Sequence, residues 1–379
     1  MRFQVKFLGL FARALFFYLC AMDILLQCRP GFEREAAQEV VDRFTTGKGS
    51  AESKFERESG FVRISAKAPR EAYAAIHWKD WIFVRQWWCI HTELALTGTD
   101  RLNPILLAAR NAHDGVELPF SDLFLEMPDT NEGRQSKKFL SHIEPLIFTE
   151  LEHEGLLDVQ GDGPRLCLFF ISATEALVGV ADERSAPWSM GFPRLRFPAE
   201  APSRSTLKLA EAFEVFLSPR EQDLLLRSGM KAVDLGAAPG GWTWQLLARG
   251  MRVTAVDNGP LKGGALGHPS VTHLKADGFC YRPKVPVDWV VCDMVEQPGR
   301  VADLMLDWMV KGYAQTAIFN LKLQKHPRLQ EVRNSLETIR KGLLDAGIRG
   351  RLIARQLYHD REEITVYLRR EGKAKASGW

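Results

Sequence analysis

The stretch AVDLGAAPGGWTWQLL, residues 232–247, decides the fold. Ala232 to Leu235 is a short apolar run carrying one acid, Asp234, with Gly229 before it and Gly236 after, which predicts a buried strand. Trp242, Leu246 and Leu247 then share one helical face, and Arg249-Gly250 supplies a stop. A strand, a glycine turn and a helix start make a cofactor cradle in doubly wound α/β proteins, because free backbone N–H groups and close approach coincide there. A phosphate loop needs Gly-Lys-Ser/Thr, and Gly240-Gly241-Trp242 offers no lysine. The dinucleotide fingerprint needs G-x-G-x-x-G, whereas the order here is Gly236, Ala237, Ala238, Pro239, Gly240, Gly241. S-adenosylmethionine remains as the tenant to test against the rest of the chain.

The residues that follow extend the α/β alternation. MRVTAVDNG predicts a second strand ending in Asp257, where an acid can accept from the hydroxyls of a ribose. That placement by itself does not separate S-adenosylmethionine from a nicotinamide dinucleotide. VTHLKADGF puts Asp277 near another strand end, able to meet an adenine edge or to cap the turn before Gly278. In VDWVVCDMVEQP the continuous apolar run Trp289 to Cys292 marks a central strand covered on both faces, with Asp293 emerging at its carboxyl end. TAIFNLKL delivers Lys322 in the same way. RLIARQLY and ITVYLRR read as an antiparallel edge hairpin around HDREE, with Glu363 at the start of its second strand. Ahead of the cradle, STLKLAEAFEVFL is an amphipathic helix, capped by Ser205 or Thr206 and carrying Lys208 in its first turn. Two lysines and two acids thus converge on the carboxyl edge of one sheet, where ligand crevices form.

That set suits methyl transfer to a ribose hydroxyl. An in-line displacement from a sulfonium needs positioning and a nucleophile relieved of its proton. A 2′-hydroxyl is weakly acidic and needs a base. Partial burial with a second cation, Lys208, nearby is expected to push Lys322 toward its neutral form, with Asp293 and Glu363 restraining the shift.

The bulk numbers fit an enzyme of this kind without demanding it. At 379 residues the chain can hold two or three domains, and 46% hydrophobic with 26% charged residues describes an ordinary globular protein. A net charge of +3 permits a nucleic-acid partner but does not argue for one, so local basic clusters must carry that case. The six cysteines (20, 28, 89, 167, 280 and 292) are scattered, with neither a C-x-x-C pair nor metal-ligand spacing, which points to reduced thiols and no metal. Residues 1–21 begin MRFQVKF and run apolar to Ala21, but Arg13 interrupts the run. They are read as an extension from a mis-called start, with no membrane anchor, and a cytoplasmic location is expected.

Residues 22–95 alternate short strands and helices, from DILLQC through FEREAAQEVVDRF and FVRISA to a helix around Ala72 to Ile76, as in a small α+β domain. Trp78, Trp81, Trp87 and Trp88 close this region and are read as core rather than base-stacking side chains. Residues 96–186 form a second α+β unit, with a polar loop at Asp129–Arg134 and with Lys137 and Lys138 opening a long helix as candidate phosphate contacts. Residues 187–206 are a stiff proline-rich linker whose Arg194, Arg196 and Arg204 suit guiding RNA. Residues 207–379 hold the cradle.

Lys208, Asp293, Lys322 and Glu363 resemble the Lys-Asp-Lys-Glu tetrad of ribose 2′-O-methyltransferases. The segments QCRPGFE, APSRSTLKL, DLGAAPGGWT, VDNGP, CDMVE, FNLKL and RQLYHDREE resemble the bacterial 23S rRNA cytidine 2′-O-ribose methyltransferases, the RlmM family, over Met22 to Arg369. The resemblance implies a Rossmann-like, seven-stranded S-adenosylmethionine-dependent domain preceded by a THUMP RNA-binding domain, into which the second region fits. It implies that Ser205, Ala238, Pro239, Gly240, Gly241, Asp257, Asp277 and Asp293 line the cofactor, and that Lys322 takes the proton. The substrate would be 23S rRNA and the enzyme a monomer. Two alternatives stay open: cytosine-C5 methylation with Cys292 as nucleophile, and a non-catalytic RNA-binding assembly protein that keeps the fold.

Overall fold

The computed structural model describes residues 22–45, 49–67, 73, 76–324 and 327–373. The expected extension over residues 1–21 lies outside the described residues, as does most of the helix expected around Ala72 to Ile76. The chain divides into two compact units between Gly191 and Phe192.

The first unit is built on one seven-stranded sheet of order β2-β3-β1-β4-β7-β6-β5. Its strands are β1 (Met22–Gln27), β2 (Ser50–Lys54), β3 (Phe61–Lys67), β4 (Gln86–Ala95), β5 (Asp122–Glu126), β6 (Arg165–Phe170) and β7 (Glu175–Ala181). The two N-terminal regions read separately in the sequence are therefore joined. The first half of β4 pairs antiparallel with β1 and its second half with β7, with a bulge between Ile90 and Thr92. Helix α1 (Glu33–Thr45) packs on β2 and β3, while α2 (Leu102–His113) and α4 (Lys137–His153) pack together beside β4, β5 and β7. Asp129–Arg134 is not an open loop: Thr130 caps a short helix, α3 (Asn131–Gln135), by accepting from Gly133 N at 2.9 Å. The four tryptophans are core, with Trp88 only 1% exposed, and each such side chain contributes roughly 1.5–3 kcal/mol by leaving water. Buried Glu126 ties this unit together, accepting from Gln27 Nε2, Trp88 Nε1 and the Met190 amide.

The second unit is a Rossmann-like sheet of order β10-β9-β8-β11-β12-β14-β13. Strands β8 (Lys231–Leu235), β9 (Arg252–Val256), β10 (Val271–Leu274), β11 (Val287–Cys292) and β12 (Ala314–Lys322) are parallel. β14 (Glu363–Lys373) runs antiparallel between β12 and the edge strand β13 (Ile348–Arg355). Helices α5 (Thr206–Phe216), α6 (Pro219–Leu225), α7 (Gly241–Leu247), α8 (Pro298–Val310) and α9 (Arg328–Asp345) accompany the sheet. As the apolar run predicts, Trp289, Val290, Val291 and Cys292 are at most 1% exposed. Successive strands run outward from β8 through β9 to β10, then restart at β11 on its other side. The carboxyl ends of β8 and β11 flank that switch point, where a crevice opens in sheets of this kind.

Candidate active site

The loop after β8 is shaped by what its glycines exclude. Gly236 has φ +76°, and a Cβ there would lie 2.4 Å from Met294 Cγ. Gly240 has φ +110°, and a Cβ on Gly241 would lie 2.4 Å from Ser205 Oγ and 2.6 Å from Ser203 Oγ. Larger residues would therefore push the loop off its neighbours, so backbone lines the crevice. Ser205 stands at the N-cap position of α5, as the sequence suggests, but its side chain makes no capping hydrogen bond. Its hydroxyl pairs with Ser203 Oγ at 2.7 Å, its carbonyl accepts from Trp242 Nε1, and Thr206 Oγ1 donates to Gly241 O at 2.6 Å. The start of α5, which carries Lys208, is thereby fixed to the glycine loop.

The expected binding acids take different places. Asp257 follows β9 and accepts from Ala238 N at 2.9 Å and Gly259 N at 2.7 Å, so it braces the Ala238-Pro239 corner. Each of its oxygens keeps a second lone pair. Asp277 is exposed and accepts from Phe279 N at 2.8 Å and from the Cys280 thiol at 3.4 Å, a turn cap in its described contacts. Asp234 was not singled out in the sequence. It is buried, accepts from Thr243 Oγ1 through Oδ2, and has no donor at Oδ1 among the described residues. Burial pushes its carboxyl up to about 7.

Lys208, Asp293, Lys322 and Glu363 meet as a ring of alternating charge. Lys322 Nζ donates to Asp293 Oδ1 and Glu363 Oε2, and Lys208 Nζ to Glu363 Oε1 and, at 3.4 Å, Asp293 Oδ2. Each carboxylate thus bridges both lysines. The lysine side chains are 15% and 21% exposed, so the ring opens to solvent on one side. One expectation is corrected here. Burial does lower the Lys322 pKa, but Asp293 and Glu363, as charges and as acceptors, outweigh it and hold the ammonium above the ordinary lysine value.

Sequence reasoning also passed over the polar layer behind the ring. Asn320 Nδ2 donates to Asp293 Oδ1 at 2.9 Å, and Thr365 Oγ1 lies 2.8 Å from Asn320 Oδ1. The two-residue strand period, which puts Asn320 on the face of Lys322 and Thr365 on that of Glu363, is the signal that would have found them.

Cys292 is excluded as a nucleophile. It is fully buried at the end of β11, and burial pushes its thiol up to about 12.

Residues 201–338 match the FtsJ-like methyltransferase family and residues 22–88 the RlmM ferredoxin-like domain. Ribosomal RNA large subunit methyltransferase M of Laribacter hongkongensis is 49% identical over 348 residues, covering 91% of this chain and 96% of that protein. The protein of the same name from Stutzerimonas stutzeri is 44% identical, covering 92% of this chain and 99% of that one. The chain belongs to the ribosomal RNA large subunit methyltransferase M family. It is accordingly an S-adenosylmethionine-dependent methyltransferase. Among solved structures, TrmN from Thermus thermophilus aligns over 92% of this chain and 99% of its own, at 15% identity and a TM-score of 0.33, too distant to argue from.

The family's cofactor fits the crevice. The glycine loop gives the close backbone approach a nucleoside needs, Asp257 keeps acceptor capacity toward ribose hydroxyls, and Asp234 Oδ1 lacks the donor that the cofactor's ammonium would supply.

Proposed function

We propose that this chain transfers a methyl group from S-adenosylmethionine to the ribose 2′-hydroxyl of a cytidine in 23S rRNA, with Lys322 as the group that receives the hydroxyl proton. The observation that carries this reading is the ring itself: two ammonium groups and two carboxylates alternate within hydrogen-bond reach at the carboxyl edge of the cradle sheet. When bound, the cofactor supplies an electrophilic methyl on a sulfonium. Lys322 first sheds a proton to solvent, then takes the hydroxyl proton through its neutral amine. Lys208, on the other side of Glu363, steadies the charge that grows on the ribose oxygen. Asp293 and Glu363 hold both lysines in place through either protonation state. The buried thiol of Cys292 weighs against C5 methylation, and the intact ring weighs against a purely RNA-binding role.

Exposed Lys137 and Lys138 on α4, and exposed Arg194, Arg196 and Arg204, are the proposed phosphate contacts. We assign residues 96–186 to a THUMP-like RNA-binding part, 187–206 to the basic linker and 207–379 to the catalytic part, acting as a monomer in the cytoplasm. Among the described residues no helix is long and apolar enough to cross a membrane.

The test is transfer of labelled methyl to 23S rRNA from a strain lacking the activity, with Lys322→Ala alongside and the product digested to nucleosides. Label in 2′-O-methylcytidine, lost in the variant, is the expected result. Label in a base-methylated nucleoside overturns the reading, and no label in any RNA returns the binding-protein alternative.

A further inference from the structure

The turn between β13 and β14 carries a histidine that the transfer step does not use. His359 Nδ1 lies 2.6 Å from Glu211 Oε2, and the same carboxyl group accepts from Tyr358 N at 2.7 Å and His359 N at 3.0 Å. Glu211 is only 1% exposed and sits on α5 one turn after Lys208. Its oxygens meet three N–H groups, two of them backbone amides, so they accept and the imidazole proton lies on Nδ1. That leaves Nε2 open. It has no hydrogen-bond partner among the described residues, and it reaches solvent on a side chain that is 16% exposed.

The charged groups around His359 are acidic where they are engaged and basic where they are open. On its own turn Arg361 is exposed, buried Asp360 accepts from Leu357 N, and Glu362 pairs with Arg328 at 2.9 Å. At the start of β14, Glu363 is engaged by Lys208 and Lys322. On the segment that opens the second unit, Arg194 lies 4.5 Å over the Phe192 ring and Phe192 stacks on Tyr358 at 3.8 Å. Tyr358 in turn meets the His359 imidazole edge-on at 5.2 Å. Cationic groups interleaved with stacked aromatics suit a nucleic-acid backbone. The turn also shares two elements with the charge ring: Lys208 and Glu211 both lie on α5, and Glu363 follows His359 by four positions. An RNA whose target ribose lies at the charge ring therefore brings its backbone past this turn. An imidazole whose Nδ1–H is given to a carboxylate offers at Nε2 a lone pair when neutral and an N–H when protonated. A phosphate only accepts, so it selects the protonated form.

We propose that His359, held by Glu211, and Arg361 together clamp a backbone phosphate of the RNA beside the target nucleotide, His359 taking a proton from solvent as the phosphate binds. This rests on the charge ring being the site of ribose methylation of RNA. In the bound state the imidazolium donates from Nδ1 to Glu211 and from Nε2 to the phosphate, while Arg361 adds a second charge from the same turn.

The experiment measures equilibrium binding of a 23S rRNA fragment to the full chain, without turnover, for the parent, His359→Gln and Arg361→Ala. Binding is followed between about pH 6 and 8, where a histidine changes charge, and across a salt series. Thermal midpoints and cofactor affinity serve as folding checks. The parent's affinity should weaken as pH rises, by at most about tenfold per unit for one proton taken up. His359→Gln keeps the size and a donor but takes up no proton. It should flatten that dependence and raise KM for RNA more than it lowers kcat. Arg361→Ala should reduce the slope of log K against log salt by about 0.7 to 0.9. A parent affinity that does not change with pH overturns the clamp, as does a dependence that survives in His359→Gln. If His359 only completes the hold of Glu211 on the turn, His359→Gln lowers the thermal midpoint and leaves the pH dependence of RNA binding in place. An unchanged salt slope in Arg361→Ala removes that residue from the phosphate. If the parent transfers label to no ribose, the methylation reading fails and the clamp with it. If the parent methylates ribose while His359→Gln binds RNA with the parent's pH dependence, only the clamp fails.

Discussion

Lys322 and Glu363 are register partners across antiparallel β12 and β14, so the sheet itself sets their pairing. The partner acid is built into the strand that returns beside Lys322, and no loop motion is needed to bring the two together. Replacing Lys322 by Ala should therefore remove about two to four orders of magnitude of kcat while cofactor affinity stays close to the parent. Lys322→Arg is the sharper variant, because arginine keeps the positive charge and the donors but never offers a neutral nitrogen. Single-turnover rates with matched cofactor titrations check both. An active Lys322→Arg would assign the residue an electrostatic role instead of proton transfer.

The pH dependence follows from the same pairing. Asp293 and Glu363 outweigh burial and keep the Lys322 pKa raised, so its neutral form is the minor species near neutral pH. As pH rises toward that pKa the neutral fraction grows about tenfold per unit, and kcat/KM should climb with it between about pH 7 and 9 without a plateau. Glu363→Gln removes one of the charges raising the pKa and should bring the bend to lower pH, with a lower maximal rate. A flat profile across that range would take Lys322 out of the proton's path.

Gly236→Ala tests the cradle. The position combines φ +76° with a Met294 side-chain atom 2.4 Å from where the new methyl would stand. Strain and clash together should cost about 1–3 kcal/mol of stability and weaken cofactor binding. Gly229→Ala is the matched control, since it has φ +85° but nothing within 4 Å of the added atom. It should lose stability from backbone strain alone and keep its cofactor affinity. Equal affinity losses in the two variants, read by calorimetric titration, would refute the role given to Met294.

How much of this was legible in the sequence depends on range. The cradle, the central strand before Asp293 and the four ring positions each announce themselves within about ten residues, because glycine turns, apolar runs and strand ends are local signals. The edge strand Ser50–Lys54 was missed. SAESK lies mostly exposed and, among the described residues, pairs only with β3, so no alternation marks it. The joining of the two N-terminal regions was also missed, because it depends on one ten-residue strand dividing its partners between β1 and β7. The direction of the Lys322 shift needed geometry too: composition supplies a second lysine nearby, but only the fold puts two carboxylates on Lys322 at once. Thr365 and Asn320 are 45 positions apart in sequence, and nothing local couples them.

With Asp234 Oδ1 taken as the acceptor for the cofactor's ammonium, cofactor binding should carry its own pH dependence. The folded-state pKa of Asp234, about 7, lies well above that of an exposed aspartate, so the buried carboxyl is neutral below pH 7 and charged above it. The charged form, with Oδ1 lacking a donor among the described residues, is the one that attracts an ammonium. Affinity for S-adenosylmethionine should therefore strengthen as pH rises through about 7, and Asp234→Asn should flatten that dependence. The same shift bears on stability with the opposite sign. A raised acid pKa favours the fold at low pH, and that contribution is lost as pH climbs from the unfolded value through 7. Thermal midpoints without cofactor should thus fall over the interval in which cofactor affinity rises. Parallel trends in the two would contradict the assignment.

Arg196 and Arg204 allow the RNA side to be tested apart from the chemistry. Both are exposed in the segment leading into α5, and neither belongs to the ring. Arg194 differs, because its guanidinium lies 4.5 Å over the Phe192 ring, which itself stacks on Tyr358 at 3.8 Å. If Arg196 and Arg204 each neutralise a phosphate, replacing either by Ala should reduce the slope of log K against log salt by about 0.7 to 0.9. The double variant should lose about twice that, with kcat at saturating RNA close to the parent. Filter binding of 23S rRNA fragments across a salt series measures the slope. A uniform loss of affinity with an unchanged slope would mean that these arginines shape the segment instead of meeting phosphate.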